Sequence, residues 1–322
     1  MREEYSYGIV VISNFHGDYK YLLLKRAEGW LDFPKGHIEE GETGTAAAIR
    51  ETREESGITI DEKHLIPYFH YDITYRFTYN SVKILKHVRM FMSLVPDSTV
   101  VKVSNEHRGY IWLNYHEAME NLNFGNQKDL MQYADSYLKK YLAMEALNSE
   151  YRNIPGKSKW NLSSNFVPGE GNLNSKIFFV GQAPGRNEDS EKRPFVGRSG
   201  KLLDSLIHGI GLNREDVYIT SVVQFFPPDN RAPTEDEVAI CMPFLEKQLD
   251  IVNPQIVVLL GATAAGVLLN LKGITAYHGK IIKNKYLITV HPAAALRNPA
   301  NLEIMKSDFK ALQEFLKSHG SP

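Results

Sequence analysis

The sequence predicts two domains, the second an α/β unit whose mainly parallel sheet is covered on both faces by helices. Three observations carry this. The chain has 322 residues, enough for two cores of ordinary size. Its charge is uneven: residues 1–150 hold 17 Lys and Arg against 22 Asp and Glu, net −5, while the rest holds 20 against 16, net +4. Finally, apolar strand-like runs alternate with helix-length amphipathic segments from residue 176 onward, as a parallel sheet with crossover helices requires.

The elements follow in order. In the first half, the motif of residues 36–58 places its glutamates on a helix, and Tyr75 and Tyr79 stand at alternate positions of a predicted β-hairpin. Residues 119–147 have a helical pattern interrupted at 124–126. A stretch rich in Asn, Ser, Gly and Pro follows, so the expected division is 1–147, a linker and lead-in loop at 148–174, and 175–322. In the second half, 176–180 (KIFFV) reads as a strand, 199–210 as a helix, 217–225 as a strand and 235–251 as a helix. Strand 255–260, helix 262–271, strand 286–290 and a closing helix 301–317 complete the alternation. Ligand-binding loops belong at the carboxyl ends of such strands. Three distinctive segments lie there: 181–189, 221–231 and 291–299.

Composition excludes several classes. A hydrophobic content of 43% with 23% charged residues describes a globular chain. The single cysteine, Cys241, rules out an internal disulfide and a cluster built on this chain's own thiolates, and fits a reducing, cytoplasmic setting. The N-terminus lacks a signal-peptide layout, and the longest apolar run, 256–268, is too short to span a bilayer, so no membrane partner is expected. The basic second half is compatible with nucleic acid. Oligomeric state is not encoded legibly.

Residues 36–58, GHIEEGETGTAAAIRETREESGI, are the most informative stretch. On a helix, Glu51, Glu54 and Glu55 fall at i, i+3 and i+4 and share one face. Three like charges repel there, and a hard divalent cation such as Mg²⁺ or Mn²⁺ removes the repulsion and bridges to a phosphate. The spacing resembles the Nudix box, with Thr52 the one soft departure. The resemblance implies a mixed-sheet α+β fold and a hydrolase that splits nucleoside diphosphate linkages with metal-activated water. It also implies that Glu54 and Glu55 are metal ligands, that Glu51 is a further ligand or an orienting group, that the Gly36 carbonyl completes the shell, and that Arg50 holds the carboxylates in register.

The flanks GWLDFPKGHIEEGE and NEHRGYIWL are similar to the asymmetric diadenosine tetraphosphate hydrolases of that family. This implies a nucleoside polyphosphate substrate, phosphate contact by Lys35, a substrate-facing His37, and Glu106 as distal metal ligand or general base. Lys83 and Lys86, with Tyr75 and Tyr79, would grip the polyphosphate and stack a base.

In the second half, GQAPGRNED, RPFVGRSGKLLD, YITSVVQFFPPDNR and HPAAALRNP together resemble the uracil-DNA glycosylase superfamily, specifically its thermophile-type iron–sulfur group, over nearly all of residues 174–318. The resemblance implies DNA as partner and a flipped base. Phe195 would stack on that base, and His291 would donate to its anionic carbonyl. Glu188 or Asp189 would position water or stabilise the sugar cation. Leu296 and Arg297 would fill the vacated stack and hold a phosphate.

Three departures stand out. Phe225 occupies the position of a cluster cysteine and the Trp160 region offers none, so no iron–sulfur cluster is expected. Gln182 replaces the usual Glu of the first loop. Ser221 replaces the Asn that reads the uracil edge, and a hydroxyl reads less than an amide. The sequence thus supports a two-activity enzyme of nucleotide and DNA maintenance. Its alternative is an active hydrolase fused to a weakened DNA-binding module that responds to a nucleotide.

Overall fold

The structure, a computed structural model, describes residues 2–154 and 162–320. Its contacts divide the chain into two units, Met1–Lys139 and Lys140–Pro322. Among the described residues no helix is long and apolar enough to cross a membrane.

The first unit contains β1 (Arg2–Phe15), β2 (Asp18–Arg26), β3 (Leu31–Asp32), β4 (Lys35–His37) and α1 (Gly44–Ser56). Then follow β5 (Tyr71–Tyr79), β6 (Val82–Val95), β7 (His107–Leu113), α2 (Tyr115–Asn121) and α3 (Gly125–Arg152), the last crossing into the second unit. The sheet runs β3-β2-β1-β6-β5, with β4 paired to β1 and β7 to β2. β1 and β6 are parallel and the other pairings antiparallel, so the sheet is mixed, as the resemblance implies. Ile9, Val10, Val11 and Ile12 of β1 are all fully buried, which requires cover on both faces. On one face Ile9 and Val11 join Ala48 of α1, Leu22 and Leu24. On α3, Leu130, Met131, Ala134 and Tyr137 are buried, and the Tyr21 hydroxyl donates to Asp135. Thr43 caps α1 by accepting from the Ala46 amide, and Gly57 ends it with φ at +73°, which explains the box's final glycine.

The second unit contains β8 (Glu170–Gly171), β9 (Ile177–Gly181), α4 (Arg186–Glu191), α5 (Arg198–Gly209), β10 (Tyr218–Ser221) and α6 (Glu235–Val252). It continues with β11 (Ile256–Leu260), α7 (Ala262–Leu269), β12 (Ile281–Ile282), β13 (Tyr286–Thr289), α8 (Pro292–Ala295) and α9 (Pro299–Ser318). The strand order is β12-β13-β11-β9-β10-β8, with four parallel central strands and antiparallel edges. Ile177, Phe179, Ile219, Ile256 and Val258 point to one face and join Leu203 and Ile207 of α5 and Met305, Phe309 and Leu312 of α9. Phe178 and Tyr218 stack on the other face, where the Tyr218 hydroxyl meets Met144 of α3 and Thr220 bonds Gln248 of α6. This is the three-layer α/β arrangement expected.

The structure corrects several expectations. The helix expected to end at 147 continues to Arg152. In the stretch expected as linker, Ile154, Leu162, Phe166, Val167 and Leu173 are buried, and Glu170–Gly171 form a strand; 155–161 lie outside the described residues. The strand expected over 217–225 stops at Ser221. Beyond it, Val222 and Val223 donate to the carbonyls of Gly181 and Gln182, and Phe225 forms an isolated bridge with Phe166. An unbroken apolar run marked burial there, not extended pairing.

Candidate active sites

In the first unit, α1 lies against β4. The Lys35 amide donates to Glu55 Oε2 at 2.9 Å, and a Cβ on Gly36 would fall 2.0 Å from the Glu51 carboxyl, so Gly36 has no room for a side chain. Glu51 and Glu55 therefore approach successive residues, Gly36 and Lys35, and Glu54, about half exposed, stands on the same helix. Arg50 donates to Glu42 through Nε and Nη2, to Glu51 at 2.8 Å, to Glu54 at 3.3 Å and to the His37 carbonyl at 2.8 Å, which is the register-holding role expected of it. Burial pushes the Glu55 carboxyl up to about 7, against the pull of Arg26 and Lys35. The donors are hard oxygens, which suits Mg²⁺ or Mn²⁺. Among the described residues no three acidic, His or Cys side chains are gathered round one point. The carboxylates turn instead to Arg50, Arg26 and the Lys35 amide.

Other expected residues divide. Lys35 Nζ is held by Asp32 Oδ2 at 2.5 Å. His37 Nε2 meets Lys86 Nζ at 2.5 Å and Glu4 at 3.1 Å. The β5–β6 register sets Tyr75 opposite Lys86 and Thr78 opposite Lys83. Strand alternation then puts Lys86, Tyr75, Phe77 and Tyr79 on one face and Lys83 on the other, which separates Lys83 from the grip expected of it. Glu106 is exposed in the turn before β7 and is not brought to the other glutamates. Its neighbour His107 is buried, with Nε2 3.7 Å from Glu55 Oε1 and Nδ1 3.2 Å from Ser104 Oγ. Asp32, which ties Lys35, the Phe33 amide and Gln127, is a site residue the sequence reading missed; a carboxylate inside an apolar strand was its only signal.

In the second unit, a cavity of about 540 Å³ opens where β9, β10 and β13 end, lined by Gln182, Phe195, Ser221, His291 and Arg297 among others. The three predicted loops do meet. His291 caps α8: its Nδ1 accepts from the Ala293 amide at 3.1 Å. That bond leaves the ring proton on Nε2. Burial, then the nearby Arg297 charge, lowers the imidazole to about 4, with Glu188 opposing, so the ring is neutral at pH 7. Phe195 is buried and its ring centroid lies 6.0 Å from that of His291. Gly261, with φ at +95°, lets His291 approach; a Cβ there would sit 2.9 Å from the His291 Cβ.

Gln182 Oε1 accepts from Thr263 Oγ1 at 2.7 Å. Ser221 is buried at the end of β10. Arg297 lines the cavity and Leu296 is 42% exposed beside it. Of the acids expected to manage water, Glu188 lines the cavity but its carboxylate is taken up by backbone amides. Glu188 accepts from the amides of Gly185, Val196 and Gly197, which makes it a clamp between two loops. Asp189 accepts from Asn165 and does not line the cavity. Glu237, in the first turn of α6, is fully buried in an ion pair with Arg231 of the cavity wall. Around Phe225, Tyr151 packs edge-on at 5.6 Å and stacks on Phe244 at 4.2 Å, with Phe166 closing the group; Trp160 lies outside the described residues.

Comparison with known proteins matches residues 4–134 to the NUDIX domain and residues 168–317 to the uracil DNA glycosylase superfamily. A type-4 uracil-DNA glycosylase of Sulfurisphaera tokodaii is 43% identical over 185 residues, 53% of this chain and 84% of that protein. One from Thermotoga maritima is 44% identical over 165 residues, 49% of this chain and 86% of that protein. An asymmetrical bis(5'-nucleosyl)-tetraphosphatase of Mus musculus is 32% identical over 123 residues, 37% of this chain and 80% of that protein.

Proposed function

Because the chain belongs to the NUDIX family in its first part and to the uracil-DNA glycosylase superfamily in its second, we propose that it hydrolyses a nucleoside polyphosphate and excises uracil or another deaminated base from DNA. The carrying observation is the convergence of Phe195, His291, Gln182 and Ser221 on one cavity at the strand ends.

In the DNA reaction a flipped base stacks on Phe195. The bond from the sugar C1′ to the base nitrogen breaks, and its electron pair leaves with the base. The Nε2 proton of neutral His291 stabilises the anionic carbonyl oxygen, as a donor prepared before charge develops. Water then adds to C1′. Gln182 and Ser221 face the base edge, and Arg297 takes a phosphate of the strand. Glu188 keeps the two loops in register. The aromatic group round Phe225 replaces a cluster as core packing.

In the nucleotide reaction Glu51, Glu54 and Glu55 would hold Mg²⁺ or Mn²⁺, which when bound would supply charge neutralisation and a lowered water pKa. Arg50 orients the carboxylates. Lys35 and Lys86 face the phosphates, and Tyr75 offers a stacking surface for a base of a dinucleoside polyphosphate or related NTP.

The test incubates the protein, with no added metal, with single- and double-stranded oligonucleotides bearing uracil, hypoxanthine or xanthine. Alkali then cleaves abasic sites, with His291→Ala as control. Cleavage lost in the control supports the reading. Salt-dependent DNA binding without release of any base overturns it in favour of a regulator, the outcome that Gln182 and Ser221 would favour.

A further inference from the structure

Phe195 sits in a turn that needs support. Its φ is +52°, a left-handed conformation that is strained for a non-glycine residue. Both ends of the residue are confined by glycines. A Cβ on Gly181 would lie 2.5 Å from the Phe195 ring, and one on Gly200 would lie 1.7 Å from its carbonyl oxygen.

Groups outside the cavity converge on this turn. Arg214 donates from Nη2 to the Pro194 carbonyl at 2.5 Å and from Nη1 to the Phe195 carbonyl at 3.2 Å. The same guanidinium reaches Glu170 through Nε at 3.0 Å and Asp204 at 2.8 Å. Glu170 also receives Arg193 through Nε and Nη2, at 2.7 and 2.8 Å. One half-buried carboxylate in β8 thus ties the residue before Pro194 to the arginine that holds the next two carbonyls. A half-buried Arg–Glu pair is weak support for stability, because desolvation and solvent screening offset most of its attraction. Its placement on a strained turn calls for a different account.

We infer that Arg214, anchored by Glu170, is a positioning residue that fixes the Phe195 ring for stacking on the base. Neither residue lines the cavity. The inference rests on the reading of this cavity as a base-release site and extends it to a support that the relatives' names do not describe. The planar fork is essential: two carbonyls on adjacent residues are met by two nitrogens of one rigid group, which a lysine cannot reproduce.

Two measurements on the full chain test this. Backbone hydrogen exchange over 195–200 is expected to quicken about tenfold in Arg214→Ala, while β11 stays protected; unchanged exchange in the turn overturns the inference, whatever the activity. Single-turnover base release is then compared with DNA affinity. Arg214→Ala is expected to slow release about tenfold with Kd within about twofold, as misplacement of a stacking group predicts. In a Phe195→Ala background the same change is expected to add nothing. Fully additive losses, or rescue by Arg214→Lys, overturn it. If Arg214→Ala does not fold, Glu170→Gln carries the same test with a smaller effect. A wild-type protein that releases no base sinks the glycosylase reading, while the exchange measurement still decides the clamp.

Discussion

The two candidate sites are built on opposite principles. The first is held by charge: Arg50 gathers Glu42, Glu51 and Glu54, and Arg26 leans on a buried Glu55. The second is held by backbone and packing: glycines at 181, 200 and 261 let Phe195 and His291 come close, and a backbone amide sets the histidine proton. On the function proposed above, a site of clustered carboxylates would need a cation to complete it. A site made of a ring and a neutral donor is finished once the chain has folded.

The largest effect that could break this contrast is Glu55→Gln. It is expected to lower polyphosphate hydrolysis by about a thousandfold, as loss of a metal-activated nucleophile requires, and to leave base release unchanged. A fall in both, measured on one preparation, would mean the sites are not independent. Next comes His291→Ala, expected to slow base release by a factor of about a hundred to a thousand, the usual loss for one prepared oxyanion donor; a tenfold loss or less would assign the charge stabilisation elsewhere. Phe225→Ala is expected to destabilise the second unit by about 3–5 kcal/mol, from the cavity left among Tyr151, Phe166 and Phe244. Denaturant melts would check it.

The smaller effects concern pH. Glu55 titrates higher folded than unfolded, so the stability it gives is present below its ordinary range near 4.5 and is lost as pH rises through about 7. The metal-free protein is therefore expected to melt at lower temperature at pH 8 than at pH 5.5. Added Mn²⁺ should restore more stability at pH 8, because below 7 protons compete for the same oxygen. His291 has the opposite sign: its folded pKa is depressed, so protonation destabilises the fold as pH falls from 6.5 toward about 4. Base release should accordingly keep its neutral-histidine form down to about pH 4, and an acid limb near 6.5 would refute the burial argument.

Much of this was legible in the sequence, and the gaps have physical causes. Helix α1 and its glutamates were readable because the 3.6-residue period and the Gly57 cap are local. The three loops of the second site were readable because the strands that carry them are short apolar runs. Lys83 was misplaced because which face a strand residue takes depends on register, and register is a tertiary fact. Glu170 hid in a Gly, Pro and Asn-rich stretch that resembles a linker until β10 pairs with it, Ile219 opposite Glu170 and Tyr218 opposite Gly171. Asp32 was missed because a single carboxylate beside apolar residues carries no periodic signal, and the clamp made by Glu188 was not foreseen because three amides from two loops had first to converge on it.

The bond from the Ala293 amide to His291 has a consequence for how this protein can change. In many sites a carboxylate orients the histidine, and one codon can exchange that partner. Here the partner is peptide backbone at the first turn of α8, which almost any side-chain substitution preserves. The protonation pattern of the second site is thus inherited with the fold and shielded from point mutation, while Gln182 and Ser221, side chains of the cavity lining to which the proposed function gives base choice, stay open to drift. Selection can retune what this cavity accepts without touching how its donor is set.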